Sequence, residues 1–256
     1  MGVTPMRIAL LSDIHGNSIA LEATLSDVAA QGGVDAYWVL GDLVALGPDP
    51  VGVLERLTAL PNARLIRGNT DRYVAFGDRP GPTLEEVRTD PGLGSRLVEV
   101  ANTFAWTQGM ITAGGWLDWL RALPLEMHAI LPDGSCFLGV HASPGRDDGT
   151  GIIPGMDDGD MGALFEHCPA GLVCLGHTHQ PSDQTYRDIH VVNLGSVSLP
   201  VTADKSSSYV LLDATKECYR ISHRRVAYDR SAVIEQLNRL RHPGRAYLIR
   251  LLSDEN

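Results

Sequence analysis

Cysteine is scarce in this sequence, and the cysteines it has show no C-x-x-C spacing. That pattern excludes a cysteine-rich zinc module and offers no disulfide framework. No secretory signal precedes the first predicted strand. The sequence therefore predicts free and mostly buried thiols in a reducing cytoplasm. The four residues are Cys136, Cys168, Cys174 and Cys218.

The sequence also lacks long apolar runs and an excess of positive charge. No stretch is long enough to span a membrane, so no membrane partner is expected. The 21 Lys and Arg residues are outnumbered by 31 Asp and Glu residues, which gives a formal net charge of −10. Neutralising phosphates supplies much of the affinity for nucleic acid, so an acidic chain is a poor partner for it. A small substrate is expected instead of a long nucleic acid.

What is present is enough apolar material for a core, arranged as short strands that alternate with helices. Hydrophobic residues make up 44% of the 256 residues. Aliphatic runs at 7–13, 36–42 and 63–69 predict strands buried on both faces, and the segments between them have helical spacing. This order predicts right-handed crossovers and a partly parallel sheet. Residues from about 83 to 123 are predicted to be mostly helical, and strands return after them.

Polar residues of a few types follow successive predicted strands. The strings are SDIHGN, LGDLV, RGNTD, GVHAS and LGHTH, in this order along the chain. Ligands of open α/β folds bind at the carboxyl ends of the strands, so these side chains are expected along one edge of the sheets. Each string alone is a weak signal, whereas the ordered set is specific. The residues are Asp13, His15, Asp42, Asn69, His141, His177 and His179.

This ordered set resembles the calcineurin-like metallophosphoesterase superfamily, and it looks most similar to the small bacterial phosphodiesterase branch. The family's motifs are D-x-H, GD, GN, a lone His and GH-x-H, and the resemblance runs from about Met6 to Asp213. It implies an α/β fold with two packed mixed β-sheets flanked by helices, a four-layer αββα sandwich. It also implies a single domain over residues 1–256, with a helical insertion at about 83–123.

The resemblance further implies a site for two divalent metal ions. Imidazole and carboxylate ligands suit Mn²⁺, Fe²⁺, Ni²⁺ or Zn²⁺. Two such ions, about 3.5–4 Å apart, can share a hydroxide and clamp the phosphoryl oxygens during in-line attack. The family pattern assigns one ion to Asp13, His15 and His179, the other to Asn69, His141 and His177, and both to Asp42. The residues expected to act in catalysis are Asp42, Asn69, Thr70 and His141.

The sequence departs from the family pattern at Thr70. The third motif usually reads GN-His-Asp, and its histidine contacts the substrate or assists the leaving group, but this chain reads GNTD. A threonine hydroxyl cannot act as a general acid near neutral pH. Some small phosphodiesterases of this branch also lack the histidine. Hydrolysis is therefore still expected, with poor leaving groups disfavoured.

Several residues near the motifs have alternative roles. Arg67 and Arg72 flank the third motif and would bind either phosphate or a carboxylate. Asn193 and Ser196 follow GHTH and would either support the ligands or belong only to a strand end. The loop at 143–160 is long and rich in glycine and aspartate, so it would be a lid, an oligomer contact or a solvated surface segment.

Each liganding histidine needs a partner for its other ring nitrogen. Asp71, Asn17 and backbone carbonyls are the candidates. The histidines outside the motifs are expected to be structural. They are His128, His167, His190, His223 and His242.

The first functional hypothesis is a cytoplasmic, metal-dependent phosphoesterase that prefers phosphodiesters. A phosphomonoesterase or nucleotide pyrophosphatase would use the same metal ligands, so only substrate tests separate these activities. A third hypothesis is a protein-interaction scaffold of the same fold. Such a scaffold would have lost metal ligands, and all seven positions remain here. A homo-oligomer is compatible with the sequence.

Overall fold

A computed structural model describes residues 4–166 and 168–253 of the chain, so His167 lies outside the described residues. The strands form two five-stranded sheets. In spatial order, the first sheet contains β10 (Tyr219–Val226), β9 (Ser207–Ala214), β1 (Met6–Leu11), β2 (Ala36–Leu40) and β3 (Arg64–Ile66). The second sheet contains β4 (Met127–Ile130), β5 (Cys136–Gly139), β6 (Leu172–Leu175), β8 (Ile189–Asn193) and β7 (Ser182–Tyr186).

Both sheets are mixed. In the first sheet, β1 pairs parallel with β2 and antiparallel with β9. In the second sheet, β5, β6 and β8 are parallel, whereas the edge strands β4 and β7 are antiparallel to their neighbours. The motif residues follow the carboxyl ends of the parallel strands β1, β2 and β3 in the first sheet and β5 and β6 in the second.

The α-helices of the described residues lie between these strands in the sequence, except for the last two, which follow β10. In chain order they are α1 (Ser18–Ala30), α2 (Pro50–Ala59), α3 (Asn69–Phe76), α4 (Leu84–Thr89), α5 (Gly94–Ala113), α6 (Leu117–Arg121), α7 (Asp158–Phe165), α8 (Arg230–Arg239) and α9 (Arg245–Leu252). Helix α1 begins where Asn17 Oδ1 accepts a hydrogen bond from Ala20 N, and it ends before Gly32 and Gly33, both at positive φ.

The core is divided by the sheets into layers. Ile8 and Leu10 of β1 pack in the cluster that contains Phe137 of β5, between the two sheets. Ala9 and Leu11 face the other way and pack with residues of α1, α2, α3 and α5. The outer face of the second sheet packs on α7. This alternation buries β1 on both faces and confirms the predicted four-layer αββα sandwich.

Edge strands and cysteines show where sequence patterns were insufficient. The sequence pattern does not indicate β4 and β7, because each strand has two exposed residues and neither forms a continuous apolar run. All four thiols are free, but Cys136 and Cys218 are exposed and Cys168 is half-buried. The prediction of mostly buried thiols was therefore wrong, since Cys174 alone of the four is buried.

The segment at 84–121 is mostly helical. It contains α4, a 3₁₀ turn at Pro91–Leu93, α5 and α6. Phe104 and Ile111 of α5 are buried against α2 and α3, so this segment covers the end of the first sheet near the third motif. Its status as an insertion in the family fold stays a prediction. In the part of the chain that the structure describes, no helix combines the length and apolarity needed to cross a membrane.

Candidate metal centre

The strands deliver the motif side chains to one edge of the sheets. Asp13 and Asp42 stand two residues beyond the ends of β1 and β2 in the first sheet. His141 and His177 stand two residues beyond β5 and β6 in the second. Asn69 is the first residue of α3, after β3. One centre therefore draws ligands from both sheets.

Five of these residues have a left-handed backbone. A positive φ costs a non-glycine residue roughly 1–3 kcal/mol and persists only where surrounding contacts enforce it. Here the turns are held by hydrogen bonds between motifs, such as Asp13 N to Gly41 O at 3.0 Å and His15 N to Asp42 O at 2.8 Å. Such strain concentrates at functional sites. The φ angles are 58° at Asp13, 48° at His15, 55° at Asp42, 67° at His177 and 58° at His179.

Two motif glycines are required because ligands lie where a side chain would be. A Cβ on Gly68 would collide with Asp42 Oδ1, and a Cβ on Gly176 would collide with Ser12 Oγ and Asp13 Oδ2. These positions precede Asn69 and His177 in the motifs. The glycines therefore let the motif loops of different strands approach each other closely.

One group of ligand atoms belongs to Asp13, His15 and His179. His179 Nε2 lies 3.1 Å from Asp13 Oδ1 and 3.2 Å from His15 Nε2. His15 Nε2 lies 3.8 Å from the same Asp13 oxygen. All three side chains are largely removed from solvent, with His179 the most accessible at 16%.

A second group surrounds His141. Its Nε2 lies 3.4 Å from Asp42 Oδ1, 3.1 Å from Asn69 Oδ1 and 4.0 Å from Asp13 Oδ1. His177 Nδ1 lies 3.2 Å from the same Asn69 oxygen. The structure therefore brings together Asn69, His141 and His177, as the family pattern assigns them, and adds Asp13 at the boundary of the two groups.

Asp42 lies between the two groups. Its Oδ2 is 3.7 Å from His15 Nε2 in the first group, and its Oδ1 is 3.4 Å from His141 Nε2 in the second. A carboxylate in this position can offer one oxygen to each of two ions. The side chain is only 4% exposed, so its charge is shielded little by water.

Backbone carbonyls fix which ring nitrogen faces the centre in three of the four candidate histidine ligands, whereas Nδ1 of His15 has no hydrogen-bond partner among the described residues. A carbonyl only accepts hydrogen bonds, so the ring nitrogen beside it carries the hydrogen and a neutral ring presents a lone pair on its other nitrogen. In their neutral form these three rings can therefore ligate through the inward nitrogen, and a metal ion would displace any proton held there. The pairs are His141 Nδ1 to Leu40 O at 2.8 Å, His177 Nε2 to Gly149 O at 2.8 Å and His179 Nδ1 to Leu199 O at 2.7 Å.

The electrostatics of the centre favour a cation. Burial lowers the pKa of His15 to about 4. Burial also opposes protonation of His141, but the charges of Asp42 and Asp13 outweigh it and raise the pKa of His141 to about 10. Burial opposes ionisation of Asp42, yet His141 and His15 hold its pKa below the usual range. Buried carboxylates are thus kept ionised next to imidazoles, which is the charge pattern that a divalent ion neutralises.

Three atoms give a direct test of whether these residues fit a metal. Asp13 Oδ1 is fully buried and accepts no hydrogen bond with suitable geometry from any described residue. His15 Nε2 and His179 Nε2 approach to 3.2 Å, a distance at which two lone pairs repel unless a proton or cation lies between them. Carboxylate oxygen and imidazole nitrogen are donors that divalent transition metals prefer. The residues fit a metal centre.

The side chains suggested as histidine partners have other roles. Asp71 accepts hydrogen bonds from Leu43 N, Val44 N and Gly68 N, so it holds the second and third motif loops together. Asn17 caps α1 instead of contacting a ring nitrogen. Of the three candidates that the sequence offered, backbone carbonyls are the partners observed.

Asn193 and Ser196, which follow GHTH, support the candidate ligands through hydrogen bonds to the backbone. Ser196 Oγ donates to Asp13 O over 2.9 Å. Asn193 Nδ2 donates to Gly176 O over 2.8 Å and to Thr178 Oγ1 over 2.9 Å. Both side chains are buried and hold the backbone on either side of ligands. The same end of the second sheet thus fixes Asp13 and the GH-x-H turn.

The loop after His141 is tied to α3 by ion pairs. Arg67 Nε and Arg72 Nε lie 3.0 and 3.1 Å from Asp147 oxygens, and Arg72 Nη2 lies 2.9 Å from Asp148 Oδ2. Tyr73 also donates to Asp148. Of the two roles considered for Arg67 and Arg72, the structure shows carboxylate binding. These ion pairs anchor the loop next to Gly149, whose carbonyl oxygen is the hydrogen-bond partner of His177 Nε2.

The mouth of the centre includes residues that sequence reasoning missed. A cavity of about 410 Å³ is lined by ligands, by Lys205 after β8 and by Tyr247 of α9. Lys205 is half-buried and has no ion pair with a carboxylate of the described residues. Neither Lys205 nor Tyr247 lies in a motif, and no sequence pattern predicts that the C-terminal helix lies near the strand ends. Only the fold brings them to the site.

Comparison with known proteins places this geometry in context. Residues 6–217 match the profile of the calcineurin-like phosphoesterase superfamily domain. An uncharacterised protein of Methanocaldococcus jannaschii is 26% identical over 257 residues, which cover 92% of the chain and 93% of that protein. A solved metallophosphoesterase from Sphaerobacter thermophilus has a TM-score of 0.75 and 25% identity, over 96% of the chain and 98% of that structure.

A further match is confined to a short segment. A symmetrical bis(5′-nucleosyl)-tetraphosphatase of Pectobacterium carotovorum subsp. carotovorum is 39% identical over 70 residues. These residues are 27% of the chain and 25% of that enzyme. The chain thus matches only about a quarter of the length of that relative.

Proposed function

Because the chain belongs to the calcineurin-like phosphoesterase superfamily, we propose that it hydrolyses phosphodiesters at a centre of two divalent metal ions. Membership supports metal-dependent phosphoester hydrolysis in general. The observation that carries the dinuclear centre is the position of Asp42, whose two oxygens face different ligand groups. All seven expected ligands lie within this one cluster.

The chain's own residues prepare the site before substrate arrives. Asp13, His15 and His179 would hold one ion, Asn69, His141 and His177 the other, and Asp42 both. When bound, the ions supply charge neutralisation for the phosphoryl group and activation of the attacking water. The carbonyl partners keep the histidine lone pairs aimed at the centre, and Lys205 in the mouth is placed to attract the anionic phosphoester.

The preference for diesters rests on space beside the phosphate position. Asn69 and Thr70 line both the mouth cavity of about 410 Å³ and a second cavity of about 610 Å³. A monoester has one organic group and needs one cavity, whereas a diester has two. Two cavities that meet at Asn69 and Thr70 can hold one group each. We therefore favour phosphodiesters over phosphomonoesters.

There are two alternatives to a phosphodiesterase. One is an enzyme that uses the same metal centre on another substrate, and the other is a protein without catalytic activity. The partial likeness to a tetraphosphatase supports a nucleotide pyrophosphatase as the second candidate. A protein-interaction scaffold would not require seven converging ligand residues with five strained backbones. The exposed free thiols of Cys136 and Cys218 are compatible with a cytoplasmic enzyme, which is the location we propose.

Metal analysis combined with paired substrates tests this function. Purified protein is assayed with bis(p-nitrophenyl) phosphate and p-nitrophenyl phosphate, before and after chelation and after addition of Mn²⁺. We expect diester hydrolysis that disappears with the metal and returns with Mn²⁺, at about two ions per chain. Full activity in metal-free protein would overturn the mechanism, and faster monoester hydrolysis would overturn the diester preference.

A further inference from the structure

The larger cavity beside the metal centre has no role in the proposed mechanism beyond offering space. Its volume is about 610 Å³, within the range of roughly 300–1,000 Å³ that small-molecule pockets occupy. Its walls come from α3, α5 and α9, and it shares Asn69, Thr70, Leu46 and Tyr247 with the mouth cavity. The two cavities are therefore adjacent, so an organic group attached to a phosphate at the metal centre lies beside the larger one.

The walls of this cavity are largely aromatic and aliphatic. Phe104, Tyr73 and Leu248 are almost completely buried and form its inner surface, with Val100 beside them. Tyr247 is 44% exposed and stands where the two cavities meet. An aromatic ring with a free face at such a position can stack on a planar ring of a ligand. This surface suits an organic group of the size of a nucleoside.

The polar part of the lining is cationic. Arg96 of α5 and Arg250 of α9 line the cavity, and no carboxylate of the described residues lies within 4.0 Å of either guanidinium. Glu99 is the one acidic residue in the described lining, and it forms no ion pair with Arg96, one turn away. In a chain with a net charge of −10, two arginines without an ion pair to any described carboxylate are available for a ligand phosphate.

A buried hydroxyl marks the junction of the two cavities. Thr70 is 8% exposed, and its Oγ1 has no hydrogen-bond partner among the described residues. An unpaired buried hydroxyl costs free energy that a ligand oxygen would recover. This atom lines both cavities, so it can contact the oxygen that joins a reacting phosphate to an organic group in the larger cavity.

We propose that the larger cavity is a binding subsite for a nucleoside-sized group that carries a second phosphate, so that the substrate is a nucleotide phosphoester. The inference rests on the proposed function only in placing the reacting phosphate at the metal centre. Tyr247 stacks on the planar ring, and Arg96 and Arg250 bind the second phosphate. These three are specificity residues and do not touch the reacting bond.

Equilibrium binding tests the subsite without requiring turnover. Calorimetry compares adenosine 3′,5′-bisphosphate, adenosine 5′-monophosphate and inorganic phosphate on metal-loaded protein, and ³¹P NMR checks that each ligand stays intact. We expect the bisphosphate to bind at least about tenfold more tightly than the monophosphate. In the double variant Arg96→Ala and Arg250→Ala, that advantage should fall to within about twofold. Arg220→Ala, an exposed arginine of β10 outside the lining, is the matched control.

A second variant separates ring recognition from charge. Tyr247→Ala should weaken binding of both nucleotides and leave inorganic phosphate unchanged. Equal affinities of wild type for the two nucleotides, or an advantage retained by the double variant, would overturn the subsite. Hydrolysis of bis(p-nitrophenyl) phosphate is measured on the same preparations. Hydrolysis without a bisphosphate advantage refutes the subsite alone, whereas the advantage without any hydrolysis refutes the proposed function alone.

Discussion

The backbone amide of Thr70 donates a hydrogen bond of 2.9 Å to Asp42 Oδ1. The residue that departs from the family motif therefore holds the expected bridging carboxylate through its main chain. Its hydroxyl, by contrast, points to no partner among the described residues and lines the cavities. Because the two roles use different atoms, side-chain substitutions at position 70 can alter leaving-group chemistry while the amide still orients Asp42.

The bridging position of Asp42 predicts a large effect of Asp42→Asn. An amide offers one oxygen and no charge, so it cannot serve both ligand groups as the carboxylate does. We expect turnover to fall by at least about 10²-fold and the metal content to drop below that of wild type. Elemental analysis, steady-state hydrolysis and circular dichroism measure this, with the exposed Asp213→Asn as the control. Near-normal hydrolysis would remove Asp42 from the bridging role.

The close packing of Gly176 predicts a loss of metal affinity in Gly176→Ala. The added Cβ collides with Ser12 Oγ and Asp13 Oδ2, so Asp13 must move away from its ligand position. We expect metal binding to weaken by about 10–100-fold, as for other changes that displace ligands. Competition with a fluorescent chelator measures the affinity. Gly171→Ala, where nothing lies within 4 Å of the added Cβ, should bind metal like wild type.

The ion pairs of Asp147 predict that the loop after His141 positions a ligand. Asp147→Asn weakens the contacts with Arg67 and Arg72, which frees Gly149 O from its place beside His177 Nε2. Metal affinity should fall by about tenfold, with a smaller effect on thermal stability. Asp158→Asn in the first turn of α7 is a control from the same region. If both variants bind metal equally well, the anchored loop takes no part in holding His177.

The convergence of the seven candidate ligands could be predicted because each residue lies in a short motif after a strand. Asp13 and Asp42 follow buried aliphatic runs that mark where the strands end. The sequence therefore predicts that both residues lie at the same edge of the sheet. The φ angles near 55–60° at these residues could not be predicted from the sequence, because they depend on hydrogen bonds between loops that are distant in sequence.

The residues of the proposed nucleotide subsite are harder to predict than the candidate metal ligands. Arg96 and Arg250 come from helices that contain no motif, and no sequence pattern links them to the strand ends. Their position beside the centre results from how α5 and α9 pack, which depends on many tertiary contacts. The sequence places Asn193 near the site, but its hydrogen bond to Gly176 O depends on how the loop after β6 packs on the end of β8.

The neutral side chain of Thr70 predicts a steep dependence of rate on the leaving group. Apart from the expected metal ligands, the described lining of the mouth contains no imidazole or carboxyl group that could protonate a departing alkoxide. Wild type should therefore cleave activated aryl diesters far faster than alkyl diesters. Thr70→His adds an imidazole at the junction of the two cavities and keeps the amide bond to Asp42. We expect it to accelerate cleavage of poor leaving groups by about 10²-fold.

The measurement is a series of phosphodiesters with graded leaving-group pKa, assayed on wild type, Thr70→His and Thr70→Ser. Rates plotted against leaving-group pKa should give a shallower slope for Thr70→His alone, since serine keeps a hydroxyl and supplies no acid. The shallow slope should also be lost at high pH, where the new imidazole is neutral and cannot donate a proton. Metal content has to match among the three proteins, because a disturbed Asp42 would lower all rates together without changing the slope. Equal slopes at equal metal content would show that position 70 takes no part in leaving-group departure.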